Sequence, residues 1–193
     1  MESYIEEFQG DHEKNSDLVI TVDGKAGAGK GKLGEQIAGV LELEHFSASD
    51  VFYSVAEERG LEDFELSDEA EKEVDLAVDR RTLERGLEQD CVIDGRLTGW
   101  VLGSNADLRI KVVADEEERA RRLAEREDMD AVEARQIVEK RDSRDEERYM
   151  DYYGISLEDD EIYDLVIDNT DMNLEEQAEF MRQKLEKRFP ERS

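Results

Sequence analysis

Short apolar runs separated by longer charged stretches organise this 193-residue chain. The runs 18-LVITVD-23, 91-CVID-94, 107-DLRIKVVA-114 and 163-YDLVID-168 read as strands, joined by a brief 45-HFS-47. Between them the spacing predicts a helix from about Lys30 to Leu43, helical segments through Leu87, a long charged helical region from Asp115 to about Tyr152, and a last helix from Leu174 to Arg188. Strands alternating with helices imply a parallel sheet covered on both faces, a three-layer α/β/α arrangement. Residues 1–16 are polar and acidic and form an extension with at most a helical turn around Tyr4 to Phe8. No internal repeat, no low-complexity linker and no proline other than Pro190 divides the rest, so residues 17–193 are expected as one domain. The stretch 130–154 differs from its neighbours. Its arginine-rich helical pattern carries few large apolar residues, which suits a mobile lid better than a core element.

Charge narrows the choice of partners. Acidic residues number 54 against 26 basic ones, for a net charge of −28. A surface of that sign repels nucleic acid and anionic membranes. With 38% hydrophobic residues in periodic runs, the chain nevertheless has the material for a core. Lysine is scarce beside arginine, 9 against 17, and acids lie on nearly every predicted helix. That distribution suits a high-salt cytoplasm, where the Debye length falls to about 3 Å at 1 M salt; an ordinary acidic protein stays open. A lone Cys91 excludes a disulfide framework, and two histidines make a histidine metal centre improbable. No apolar run approaches the ~18 residues of a membrane span, so a cytoplasmic monomer is expected.

The most informative stretch is 24-GKAGAGKGK-32, which follows a buried strand and opens a helix. In that context backbone N–H groups curl around a phosphate and the helix N-terminus adds partial positive charge. Gly24, Gly29 and Lys30 fit the spacing of a phosphate-binding loop, but Gly31 and Lys32 stand where a hydroxyl should follow. Gly24, Lys25, Ala26, Gly27, Ala28, Gly29, Lys30, Gly31 and Lys32 are therefore the expected ATP-binding residues, with Lys30 reaching the outer phosphates. A G-x-G-x-x-G parse beginning at Gly29 also exists, yet its first glycine sits five residues beyond Gly24 instead of directly after the strand. The spelling GxxGxGKG resembles the loop of adenylate kinases and their relatives, which hold magnesium largely through water and a distant carboxylate. Their next residue is usually threonine, from which Lys32 departs.

Asp94 closes the second strong strand and is the carboxylate candidate, although Asp94-Gly95 also reads as a plain turn. Arg96 follows, and an arginine on that rim suits a second phosphate group. Arg141, Arg144 and Arg148 step by three and four along one helical face. Phosphoryl transfer spreads negative charge over the moving group and needs such cations, although the same spacing fits a solvated, ion-paired helix face.

Together, GRLTGW, SASDVF, VDLAVDRR and RYMDYYGI resemble the archaeal type of cytidylate kinase, a nucleoside monophosphate kinase, over about residues 18–170. The run 141-RDSRDEER-148 also resembles the lid of bacterial cytidylate kinases. The resemblance implies a P-loop kinase fold and transfer of the ATP γ-phosphoryl to CMP or dCMP with Mg2+. It implies Lys30, Arg141, Arg144 and Arg148 as catalytic, Ser47, Asp50, Arg80, Arg96 and Asp145 as acceptor-binding, and Asp94 as a metal residue acting through water. Tyr53 replaces the arginine that the family carries after its SAGD-like box, and Arg80 and Arg81 are the residues available to cover the loss. AMP or UMP as acceptor, and a nucleotide-binding module without turnover, are the alternatives at this stage.

Overall fold

Val19–Asp23 (β1) lies at the centre of a five-stranded, all-parallel sheet. Cys91–Gly95 (β3) and Leu108–Val113 (β4) flank it, and Glu44–Ser47 (β2) and Leu165–Asp168 (β5) form the edges. The computed structural model describes Phe8, residues 12–58 and residues 68–192. The turn expected around Tyr4 to Phe8 lies outside the described residues except for Phe8, which is buried. All five residues of β1 and of β3 are buried, the signature of strands covered on both faces, and this is why their sequences read as continuous apolar runs instead of alternating ones.

Seven helices among the described residues complete the layers: Lys30–Leu41 (α1), Ala48–Glu58 (α2), Asp68–Glu88 (α3), Thr98–Leu102 (α4), Glu116–Glu127 (α5), Ala131–Tyr153 (α6) and Leu174–Arg188 (α7). On one face Ile20, Val22, Val92, Ile110 and Val112 meet Leu33 and Ile37 of α1 and Met181 and Leu185 of α7. On the other, Val19, Cys91 and Ile93 meet Leu83 of α3, Val101 and Leu102 of α4, and Tyr149 and Tyr153 of α6. Each fully buried Leu, Ile or Val contributes about 1.5–3 kcal/mol, so these two clusters anchor the sheet whose upper rim carries the site.

Helix boundaries follow local chemistry. α1 stops at Leu41, short of the expected Leu43, because Glu42 adopts a left-handed conformation at φ 54°. The charged region expected from Asp115 to about Tyr152 is two helices. Asp128 ends the first at φ 52°, and the Asp130 side chain caps the second by accepting from the Val132 N–H at 2.8 Å. Short acidic side chains suit both jobs, so an unbroken charge pattern concealed a corner. The arginine-rich α6 is divided in character. Ala134 and Val138 in its first half pack on Ala120 and Leu123 of α5 in a small separate cluster, whereas Tyr149 and Tyr153 at its end enter the main core.

Candidate active site

Register sets the rim of the site: Ser47 of β2, Asp94 of β3 and Val22 of β1 lie side by side. The loop after β1 then turns into α1. Gly27 at φ 77° and Gly29 at φ 89° take the left-handed conformations that let this loop curl, and Gly29 is the N-cap of α1. Its carbonyls are held from behind. Arg119 donates to Ala26 O at 3.1 Å, and Asn169 Nδ2 and Arg122 Nη1 donate to Ala28 O at 2.9 and 3.4 Å. With these carbonyls engaged, the loop runs directly into the N-terminus of α1, the setting in which backbone N–H groups bind anions.

Lys30 begins α1 half-buried, and its ammonium is pushed down to about 8. Burial is the main cause and Arg96 the second, opposed by Asp94 and Asp23. Lys32 is exposed and pairs with Glu35 at 2.6 Å. Lys25 pairs with Glu158, in the segment beyond α6.

Asp94 is 2% exposed. Its Oδ1 lies 2.8 Å from His45 Nε2, and its Oδ2 accepts from Ser47 Oγ at 3.5 Å. A side chain begun at Gly31 would place its Cβ 3.9 Å from Asp94 Oδ1, so the carboxylate stands beside the place of the missing loop hydroxyl. Gly34, the last glycine of the competing parse, has a different duty. A Cβ there would come within 2.5 Å of His45 Nε2, so its absence lets His45 reach Asp94. Among the described residues no group of three or more His, Cys, Asp or Glu side chains could hold a metal. A single buried carboxylate fits magnesium, which keeps most of its waters and binds through one or two carboxylates plus nucleotide phosphates.

Asp23 carries a second carboxylate on this rim and is spent on structure. It accepts from Thr98 N at 2.8 Å, Thr98 Oγ1 at 2.6 Å, Gly99 N at 2.7 Å and Tyr163 Oη at 3.0 Å. Burial raises its carboxyl above the usual range, and those four donors oppose the rise. The bonds fix the start of α4 and with it the turn bearing Arg96, which explains the Thr-Gly pair of GRLTGW.

Beyond that turn the cations converge. Arg96 forms a close ion pair with Asp145 of α6. Arg148 donates to Asp145 Oδ1 at 2.9 Å and to Tyr149 Oη at 3.0 Å, and its Nε lies 3.2 Å from Asp75 Oδ2. Burial lowers the Arg96 guanidinium, and Arg148 and Arg141 lower it further. Arg141 and Arg144 are exposed on α6. Asp79, hydrogen-bonded by Tyr153 Oη, has its carboxyl pushed up to about 7, first by burial and then by nearby Asp75.

The remaining expected acceptor residues sit elsewhere on the rim. Ser47 and Asp50 line an open cleft of about 450 Å³ between α2 and α3, floored by Phe46 and Ile93; Arg96 and Asp145 do not line it. Arg80 is exposed on α3, and Arg81 pairs with Glu58 of α2 at 2.5 Å. Tyr53 is 59% exposed.

Residues 19–171 match the cytidylate kinase-like family. The chain belongs to that family. It is 35% identical over 172 residues to the cytidylate kinase of Staphylothermus marinus, covering 88% of this chain and 97% of that one. It is 41% identical over 155 residues to the cytidylate kinase of Pyrococcus horikoshii, covering 79% and 80%. Its fold is similar to that of a shikimate kinase from Acinetobacter baumannii, with a TM-score of 0.55, 14% identity and 94% of each chain covered. The expected P-loop kinase fold is therefore borne out. No helix among the described residues is long and apolar enough to cross a membrane.

Several residues of this family member's rim were not singled out from sequence. Asp23, His45, Arg119, Arg122 and Asn169 act by holding other groups, and nothing in their spacing announces it. Asp75 and Asp79 lay in plain view within VDLAVDRR but carried no assigned role.

Proposed function

We propose that this protein transfers the γ-phosphoryl group of ATP to CMP or dCMP. The observation that supports this reading best is a row of cations along the rim: Lys30 opens the helix after the phosphate loop, and Arg96 and Arg148 share the carboxylate of Asp145 on α6. Such a row spans from a donor-phosphate loop to the helix carrying Asp145, and a ligand-free protein tolerates it because Asp145 and Asp75 neutralise part of it. Two phosphate-bearing ligands brought face to face would satisfy it better.

In this reading the loop N–H groups and Lys30 hold the donor, while Arg141, Arg144 and Arg148 neutralise the transferring group. Ser47, Asp50, Arg80, Arg96 and Asp145 serve the acceptor. An oxygen of the acceptor phosphate attacks the γ-phosphorus, the bond to the β-phosphate oxygen breaks, and ADP leaves. No general base is needed, because a phosphate monoester is already largely ionised at pH 7, its second pKa being about 6. Asp94 would hold Mg2+ through water, and the metal would supply charge neutralisation on the nucleotide phosphates. Residues 130–154 act as the lid in this reading, with the tyrosine end of α6 as its fixed base. Initial rates of ADP release with CMP, dCMP, AMP and UMP test the assignment: CMP or dCMP should exceed AMP by at least about tenfold in kcat/KM, about 1.4 kcal/mol of discrimination. A preference for AMP would refute it.

A further inference from the structure

Arg119 is the most deeply buried arginine among the described residues. It is 5% exposed, although it projects from a helix rich in solvated charge. Its Nε donates to Ala114 O at the end of β4 at 3.2 Å, and its Nη1 donates to Ala26 O in the phosphate loop at 3.1 Å. The same guanidinium makes a two-pronged contact with Asp142 of α6, at 3.1 Å from Nη1 and 2.7 Å from Nη2. Its backbone is equally close to the loop, since a Cβ on Gly27 would lie 2.7 Å from Arg119 O. One buried side chain thus ties the sheet, the phosphate loop and the arginine-bearing helix together. Asp142 lies next to Arg141 and three residues before Asp145, so whatever fixes Asp142 fixes the height of those groups over the loop.

We infer that Arg119 is a positioning residue that sets the register of α6 against the phosphate loop, acting through Asp142 on one side and the Ala26 carbonyl on the other. It touches neither nucleotide. Its planar fork is needed because three acceptors in different directions must be met at once, which a lysine ammonium cannot do with the same geometry. A purely structural ion pair would stabilise the contact between α5 and α6 and leave turnover of the folded protein alone. A register device makes a different demand: the two halves of the contact must fail differently. Losing Asp142 loosens the middle of α6, between its anchors at Val138 and Tyr149, while the guanidinium still holds the loop carbonyl, so donor binding survives and transfer suffers. Losing the guanidinium disturbs both.

The inference rests on the kinase reading, and the experiment separates the two. Wild-type turnover of ATP with CMP is measured first; a wild type without turnover would overturn the reading and this inference with it. Asp142→Asn should then lower kcat by about tenfold or more while the ADP dissociation constant, from calorimetry, stays within about threefold. Arg119→Lys should lower kcat and weaken ADP binding together, and the double variant should be no slower than Arg119→Lys alone within about threefold, because both changes break one contact. The partly exposed Asp142 can be altered without emptying a core site, so Asp142→Asn decides the matter even if Arg119→Lys fails to fold. An Asp142→Asn protein with wild-type kcat and only a lowered unfolding temperature would overturn the inference, as would equal losses of kcat and ADP affinity.

Discussion

Lys30 offers a pH-dependent test that follows from its position. Burial and the neighbouring Arg96 bring its ammonium down to about 8 in the free protein, against an ordinary value of 10.5. A nucleotide that places its phosphates beside this group restores the charged form, so the bound state holds more protons than the free state above pH 8. Affinity must then fall as pH rises through that window. At pH 9 a group with a pKa of about 8 is charged in roughly one molecule in ten, so ADP should bind about tenfold more weakly than at pH 7, a loss of about 1.4 kcal/mol. The terminal phosphate does not interfere, since its own second ionisation is complete well below pH 8. Calorimetry of ADP binding at pH 8.5, in two buffers of different ionisation enthalpy, should show proton uptake approaching one per site. Lys30→Met should abolish the uptake and flatten the pH profile. An ADP affinity that stays constant from pH 7 to 9.5, with no proton uptake in the wild type, would show Lys30 to be fully charged in the free protein.

Three further outcomes are expected. Asp94→Asn should raise the magnesium requirement and cut kcat by about 10²-fold or more, whereas Lys32→Thr should leave turnover within a few-fold, since Lys32 is exposed and paired with Glu35; a wild-type magnesium titration for Asp94→Asn would remove the metal role. With a net charge of −28, both the unfolding temperature and the activity should rise from dilute buffer to molar potassium chloride as repulsion is screened, and a protein indifferent to salt would exclude a high-salt adaptation. Asp79 is raised to about 7 in the folded protein from an ordinary 3.8, so the folded state keeps a proton that the unfolded state has lost between those values. Stability therefore declines as pH rises through that window, and between pH 4 and pH 8 wild type should lose stability relative to Asp79→Asn, by at most about 4 kcal/mol; a difference between the two that does not change from pH 4 to pH 8 would show the carboxyl to be well solvated.

What the sequence disclosed and what it hid divide along physical lines. The strands were legible because full burial on both faces leaves continuous apolar runs such as LVITVD and CVID. The phosphate loop was legible because the backbone geometry it needs is tied to glycine at fixed spacing. Where a choice depends on a short polar residue that suits both a corner and a helix surface, the pattern was silent, and Asp128 and Asp130 broke what read as one helical region. Asp94 could be placed on the rim from its strand, but its partner His45 could not, since that contact depends on the register of β2 against β3 and on the gap left by Gly34. Arg119 looked like one more surface charge among its neighbours on α5. Only the fold shows it buried beneath the loop.

In the proposed reaction ATP and a cytidine monophosphate meet across the row of cations from Lys30 to Arg148. Its most direct test is a competition in molar potassium chloride: γ-labelled ATP and magnesium are mixed with equal concentrations of CMP and AMP, and the labelled products are separated. Label should enter CDP at least about tenfold faster than it enters ADP from AMP, with one unlabelled ADP formed per CDP. Label released as free phosphate without CDP, or transferred preferentially to AMP, would exclude transfer to CMP as the protein's reaction.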